Sequence, residues 1–435
     1  MELQAAIVLV IIFAITLAYK IPVSFSIILS ALTTIIMFLT PQFGLFISAQ
    51  KLVTGIDSFS LLAVPFFILA GQLMSSGGIA RRIINLAMLV LGRVPGSLAM
   101  TNIAGNALFG SISGSGLAAA TAIGGVMLPM EKEHGYDDGF AAATNVATAP
   151  VGQLIPPTNA PIVYSAAAGG TSVAALLMAG WIPGILWALL CMVYAWIYAS
   201  KHGYVVKREK RLTGGEAVKI VLDAIPSLFL IVIIIGGILS GYFTPTEASG
   251  VAVIYAFILA VVVYRSIKLS EIPKVLVKAG VTTTIIMLII GASSVLSFVL
   301  SFSGLPQAIS RALLNLSSNR IVILLIINAI LLIVGTFMDM APALLIFTPI
   351  FLPVAKSVGV NAIQFGVMMI MNLAIGTITP PVGSVLFVGS SVAGLKVEEV
   401  VRHLVPYFIV ILIGLLMVTF IPELSLWLPS AFGLM

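Results

Sequence analysis

Charge is what this sequence has least of. Lysine, arginine, aspartate and glutamate together make up only 8 % of 435 residues, against about 25 % in an ordinary soluble domain, which excludes a soluble fold of any class. Cysteine occurs once, as Cys191 inside an apolar run, so no internal disulfide can form and the compartment is not readable from it. The three histidines, His134, His202 and His403, all sit in or beside charged stretches. A buried Ser–His pair for intramembrane proteolysis is therefore missing. There is no GxxxxGK(S/T) phosphate loop, no HExxH and no Cys/His metal cluster, which excludes ATP hydrolysis by that loop and zinc chemistry. The net charge of +6 does not mark a nucleic-acid partner, because the bases are spread through short loops between apolar runs. The N-terminus has no basic n-region, and 3–19 is followed by Lys20 rather than a small-residue cleavage site, so it reads as a first span.

Hydrophobic residues, by contrast, make up 60 % of the chain. Apolar runs fall near 3–19, 23–39, 55–76, 173–199, 220–242, 248–264, 279–303 and 404–421. They are continuous rather than alternating, which excludes a β-barrel and predicts an all-α polytopic membrane protein. Two further regions, 97–170 and 321–394, are apolar but interrupted by Gly, Pro, Ser and Thr. Interrupted segments at corresponding places in two halves point to a transporter binding site. The halves do correspond: Pro129 with Pro353, Gly135 with Gly359, Gly152 with Gly376, Pro156-Pro157 with Pro380-Pro381 and Gly170 with Gly394, each pair 224 residues apart. A pattern held in register over so many positions is an internal repeat.

Charge then orients the repeats. With the N-terminus outside, and each interrupted region read as a re-entrant hairpin followed by a broken span, 17 of the 21 Lys and Arg residues become cytoplasmic. Only Lys51, Arg311, Arg320 and Lys356 stay outside, a positive-inside distribution. The expectation is two inverted repeats, about ten full spans, two hairpins (97–130 and 321–355) and two broken helices, with both termini periplasmic. The stretches 78–93 and 268–278 carry bases among apolar residues and read as interfacial amphipathic helices. Trp181, Trp187, Trp196 and Trp427 read as interface anchors.

The first hairpin tip, residues 110–116 (GSISGSG), offers hydroxyls and carbonyls with little helix propensity. Its partner is the break at 150–157 (PVGQLIPP), where prolines remove amide donors and leave the carbonyls of Gly152 and Ile155 unclaimed. Oxygen ligands of this kind suit a hard monovalent cation such as Na⁺, and broken helix ends add the negative end of a dipole. Close packing of small residues uses the same residue types. In the second copy, Thr336, Thr379 and the Gly376 carbonyl take the corresponding places by pseudo-symmetry. Asp339 and Asp57 are the carboxylates expected at membrane depth, and Asp339, three residues before Pro342, also fits a helix N-cap. Helices restarting near Thr158-Asn159 and Ser384 would aim positive dipole ends at a carboxylate, with Asn145, Thr148 and Asn372 as further polar candidates.

Residues 105–116 (GNALFGSISGSG), 150–161 (PVGQLIPPTNAP) and 376–383 (GTITPPVG) together resemble the large membrane subunit of tripartite ATP-independent periplasmic (TRAP) transporters. The resemblance covers essentially the whole chain. It implies a secondary transporter of the bacterial inner membrane, no enzyme and without a cofactor, that uses Na⁺ as coupling ion to take up an organic acid of the sialic acid or C4-dicarboxylate class. It also implies two partners, a periplasmic substrate-binding protein and a small four-helix membrane subunit expected on a separate chain. Related folds work as elevators. Mapped here, 97–170 and 321–394 are the moving hairpins and broken helices. Residues 1–96 hold scaffold and arm, 171–278 a span, a basic loop, scaffold and a second arm, 279–320 a span and external connection, and 395–435 the last span. The first Na⁺ site then falls on Ser113, Ser115, Gly152, Ile155 and Pro157. The second falls near Thr336, Met338, Gly376, Thr379 and Pro381, with backbone carbonyls carrying more of it because Met338 and Met340 stand where the first tip has serines. A stand-alone Na⁺/dicarboxylate symporter is the competing expectation.

Overall fold

The computed structural model describes residues 2–92, 94–204, 213–317 and 319–435, and every regular element among them is helical. The expected cytoplasmic bases Arg93, Lys207, Arg208, Lys210 and Arg211 lie outside the described residues. Eight helical segments among the described residues are long and apolar enough to cross a membrane. Helices α1 (Glu2–Ala18) and α2 (Val23–Phe38) are shorter and pack on each other. Helix α3 (Pro41–Thr54) starts on a proline, whose missing N–H would be unpaired there anyway. A single 3₁₀ turn at Phe59–Leu62 leads into α4 (Ala63–Ser76).

Helix α5 (Ile79–Leu91) is amphipathic as expected, with Ile79, Ile83, Ile84 and Ala87 buried at helical spacing and Arg81 exposed. Arg82 does more than face a headgroup layer. Its Nε pairs with Asp223 Oδ1 at 3.1 Å, and its guanidinium lies 3.7 Å from the Tyr264 ring centroid, tying α5 to later elements.

The first interrupted region opens as a hairpin of α6 (Ser97–Ser113) and α7 (Gly116–Glu133). Gly114 makes the turn with φ 65°, a left-handed conformation natural to glycine, and Ser115 caps α7 by accepting from Ala118 N. Asp137 caps α8 (Asp138–Thr148) by accepting from Phe140 N at 2.8 Å. Pro150 sits in the 3₁₀ turn Ala149–Gln153 that ends this helix, and α9 (Ala160–Ala167) restarts it after Pro156-Pro157. Helices α10 (Val173–Ala179) and α11 (Trp181–His202) follow, jointed at Gly180.

Helices α12 (Gly214–Leu239) and α13 (Pro245–Phe257) both begin with capping boxes, Thr213 with Glu216 and Thr244 with Glu247. From sequence, 268–278 reads as a separate interfacial helix. The structure instead runs it into the following span as one 32-residue helix, α14 (Ile272–Ser303). No Gly-Pro break or cap stands between Lys278 and Ala279, so the helix has no reason to stop, and its exposed lysines can extend toward the polar layer from one end of it. A helix not expected from the sequence, α15 (Leu305–Leu316), follows Gly304.

The second interrupted region repeats the plan. A hairpin of α16 (Arg320–Phe337) and α17 (Met340–Ser357) is followed by α18 (Ala362–Gly376), a break, and α19 (Ser384–Ala393). Helices α20 (Val397–Phe420) and α21 (Glu423–Ala431) close the chain. Helix starts at Gly116, Asp138, Ala160 and Val173 reappear 224 residues later at Met340, Ala362, Ser384 and Val397. The Pro156-Pro157 and Pro380-Pro381 bonds are both cis.

One tryptophan departs from its expected place. Trp187 is fully buried, and its Nε1 donates to the Ala147 carbonyl at 3.1 Å, tying α11 to the last turn of α8. It lies on the inward face of α11, whereas Trp196 and Trp427 are exposed.

Candidate functional site

Each hairpin tip is pressed against the break that follows it, and glycine makes the approach possible. A Cβ on Gly110 would stand 2.9 Å from Gly152 Cα, and one on Gly335 would stand 3.0 Å from Gly376 Cα. Built from the other side, at Gly152 or Gly376, a Cβ would be driven into backbone atoms of Gly110 or Gly335. No side chain fits at either crossing, so backbone meets backbone at both breaks.

Between the two tips lies a cavity of about 420 Å³. Ser113, Gly114 and Ser115 bound it on one side, Asp339, Met340 and Pro342 on the other, with Gln153, Asn159, Thr377 and Ser384 from the breaks. Helices α4 and α14 close it with Ile68, Gln72, Thr282 and Ile289. A second cavity of about 320 Å³ shares Asp339, Pro342, Ser384 and Ile289, and adds Thr336 and Met338. No Lys, Arg or His lines either one among the described residues. Positive potential comes instead from the N-termini of α7, α9, α17 and α19, all of which reach the larger cavity.

Three buried polar atoms beside this space have no hydrogen-bond partner: Ser113 Oγ, Gln153 Oε1 and Asn159 Oδ1. Buried polar atoms are normally paired, so three together mark a place where a ligand or ion would supply the missing contact. No loop amide among the described residues donates to the carbonyls of Gly152 or Ile155. At the second break, Thr336 O already accepts from Gly383 N (3.1 Å) and Gly376 O from Thr379 N (3.0 Å). The hydroxyls of Thr336, Thr377 and Thr379 donate to Ile333, Ala374 and Ile375 carbonyls, which leaves their oxygens able to accept. Among the described residues no three His, Cys, Asp or Glu side chains cluster, and Asp339 is the one carboxylate in the lining of these cavities, so a cation held here would rest mainly on hydroxyl, amide and backbone oxygens.

Of the residues singled out from sequence, Ser113, Ser115, Asn159, Asp339 and Ser384 line the larger cavity, and Thr336 and Met338 the smaller. Thr379 and Pro381 reach neither; they line a separate groove on the outer side of the second break. Gly152, Ile155 and Pro157 lie buried behind the first tip, Gly376 behind the second. Thr158 is buried and donates to Gln153 O. Asn145, Thr148 and Asn372 are fully buried in polar networks away from the cavities. Asn106 Nδ2 lies within 3.0–3.1 Å of Asn102 Oδ1, Asn145 Oδ1 and Thr148 Oγ1, and Asn102 in turn reaches the Glu131 carboxylate. In the second copy Asn372 Nδ2 donates to Asn328 Oδ1 at 2.7 Å, and Asn328 reaches Thr419 on α20.

Asp339 occupies the N-cap position of α17, yet its side chain makes no cap bond and is exposed. Asp57, expected at membrane depth, is exposed in the loop after α3. Among the described residues the carboxylate that is buried is Glu131, at 0 % exposure. In the sequence it opens the run Glu-Lys-Glu-His, whose polarity reads as solvated; only the folding of α7 against α6 turns it inward. Gln72, a lone amide in an apolar run, carries no spacing signal; Thr282 stands among three consecutive threonines, and Gln153 and Thr377 lie inside the breaks, with nothing in their spacing to single out the residue that faces the cavity.

Residues 10–424 match the family model described as the tripartite ATP-independent periplasmic transporter, DctM component. The chain is 49 % identical to the uncharacterized protein YgiK of Salmonella typhimurium, over 97 % of this chain and 96 % of that one. It is 39 % identical to the sialic acid TRAP transporter large permease protein SiaM of Vibrio cholerae, over 94 % and 95 %. In fold it is similar to the YdaH transporter of Alcanivorax borkumensis, with TM-score 0.60 and 14 % identity over 90 % of each chain. The helical architecture, the paired tips facing one cavity and this agreement along nearly the whole chain lead to one conclusion: the protein belongs to the DctM-component family, the large multi-pass permease subunit of TRAP transporters in the bacterial inner membrane.

Proposed function

We propose that this permease carries an organic anion inward by Na⁺-coupled symport, with the two hairpins and broken helices (97–170 and 321–394) moving together against a scaffold that includes α1, α2, α12 and α13. The observation that carries the reading is the cavity between the tips. It has four helix N-termini, unpaired neutral oxygens, the single carboxylate of Asp339 and, among the described residues, no basic side chain. A carboxylate could be held there by amide dipoles, but its charge has no side-chain counter-ion; a bound cation would supply one. Ser113, Ser115, Gly152, Ile155 and Pro157 form the first Na⁺ position in this reading, and Thr336, Met338, Gly376, Thr379 and Pro381 the second. The 224-residue correspondence and the distribution of bases support inverted repeats with ten spans, two re-entrant hairpins and periplasmic termini.

The substrate class is a sialic acid or a C4-dicarboxylate: the Vibrio cholerae relative is named for the first, and a Pseudomonas aeruginosa relative, also 39 % identical, for the second. A periplasmic binding protein would deliver it, and a small four-helix membrane subunit would complete the scaffold. The test is uptake into proteoliposomes under an inward Na⁺ gradient, with and without both partners. Accumulation that needs Na⁺ and both partners is expected. Uptake by the permease alone would turn the assignment to a stand-alone symporter, and uptake unchanged when K⁺ replaces Na⁺ would overturn the coupling.

A further inference from the structure

Outside the central cavity, two grooves meet at Pro380-Pro381 on the outer side of the second broken helix. The wider, about 790 Å³, runs along α19 to the first turns of α20 and ends at Lys396, Glu398 and Arg402. The narrower, about 410 Å³, continues the other way between α16 and α20, and is walled by Phe337, Phe408 and Leu412 with little polar surface. Lys396 and Arg402 are exposed, and neither forms an ion pair among the described residues. The trough faces outward, with Phe337 61 % exposed. The two grooves share the Pro380-Pro381 wall and together present two cations and an acid at one end and an apolar lining at the other.

The dimensions select the occupant. Ten residues of α20 separate Arg402 from Leu412, a helical rise of about 15 Å. That is half of a hydrocarbon core about 30 Å thick, the depth one leaflet's acyl chain covers. Basic pockets beside membrane helices take lipid phosphates. Glu398 between the two bases adds an acceptor that a purely anionic headgroup has no use for, whereas a headgroup amine does.

We infer that this groove binds one glycerophospholipid with an amine headgroup: its phosphate lies between Lys396 and Arg402, its amine at Glu398 and an acyl chain in the Phe337–Phe408–Leu412 trough against the second break. The site lies outside the central cavity, and the inner wall of its trough, at Thr336, Thr379 and Pro381, is shared with the second Na⁺ position proposed above.

Native mass spectrometry of the full-length permease, delipidated and titrated with dioleoylphosphatidylethanolamine, dioleoylphosphatidylglycerol or inorganic phosphate, tests it. One phosphatidylethanolamine per chain is expected, with at least tenfold weaker retention in Lys396→Gln/Arg402→Gln and no change in Lys356→Gln. Leu412→Trp, which fills the trough from its apolar end, reports on the site independently if the double variant does not fold; it too should lose the lipid. Equal retention in wild type and both variants would overturn the site. Binding of inorganic phosphate without lipid would reduce it to a small-anion site and overturn the lipid, and phosphatidylglycerol held as tightly as phosphatidylethanolamine would overturn the role of Glu398.

Discussion

The two hairpin–break units share a backbone plan and differ in chemistry. In each, a glycine on the hairpin's first arm meets a glycine at the break, and the helix restarts after a cis Pro-Pro pair. At the tips the likeness stops. The first turns on Gly114 and is capped by Ser115; the second passes through extended Met338 and Asp339 with no side-chain cap. Behind the tips, the first unit's polar chain ends on buried Glu131, while the second's Asn328, Asn372 and Gln364 reach Thr419 on α20. Close backbone contact tolerates one residue type only, so it is common to both copies. Oxygen can come from a serine, an amide or a carbonyl, so the side chains around the contact are free to diverge.

That comparison can be broken most forcefully at the glycines. Gly152→Ala and Gly376→Ala should each destabilise by about 3 kcal/mol, since the new methyl meets backbone that cannot rotate away. Melting temperature and size-exclusion profile in detergent would show it, and a tolerant Gly376→Ala would mean that the second crossing is looser than the first. Next come the amide networks. Asn106→Ala removes the donor facing Asn145 and Thr148, and Asn328→Ala the bridge between Asn372 and Thr419; each should cost about 1–3 kcal/mol by leaving buried acceptors unpaired. Equal losses would show that the carboxylate end of the first network adds nothing to stability.

A third comparison separates the tips. Ser115→Ala should lose about 1 kcal/mol as a missing N-cap, whereas Asp339→Ala, which forfeits no cap bond, should stay within about 0.5 kcal/mol. A larger loss at Asp339 would reveal a cap role in another state of the transporter. The Na⁺ response, comparable in size to the cap loss, is the most telling for function. Replacing K⁺ by Na⁺ at equal ionic strength, with Na⁺ at ten times its dissociation constant, should stabilise the permease by about 1.4 kcal/mol. The Ser113→Ala/Ser115→Ala pair should lose most of that difference and Asp339→Asn less. An undiminished Na⁺ response in the serine pair would move the ion away from the first tip.

Much of this was legible in the sequence because the membrane leaves few options. Continuous apolar runs must be helices, since an unpaired backbone in hydrocarbon is too costly. Gly152 and Gly376, with their Pro-Pro neighbours, announced breaks because those residue types disrupt helices in any context. The same reasoning misplaced Trp187, because composition does not tell which face of α11 turns inward, and it divided α14 at Lys278, because charge in a helix says nothing about whether the helix stops.

What the sequence by itself determined is therefore what depends on local backbone chemistry: helices, breaks, tips and their 224-residue correspondence. Tertiary structure alone decided what depends on long-range contact. It buried Glu131 instead of Asp57, turned Asn145, Thr148 and Asn372 into interhelical glue, and brought Gln72, Gln153 and Thr282 to the cavity wall. Burial and partner choice are set by helices far apart in the chain, and no spacing within one segment encodes which of its faces they will cover.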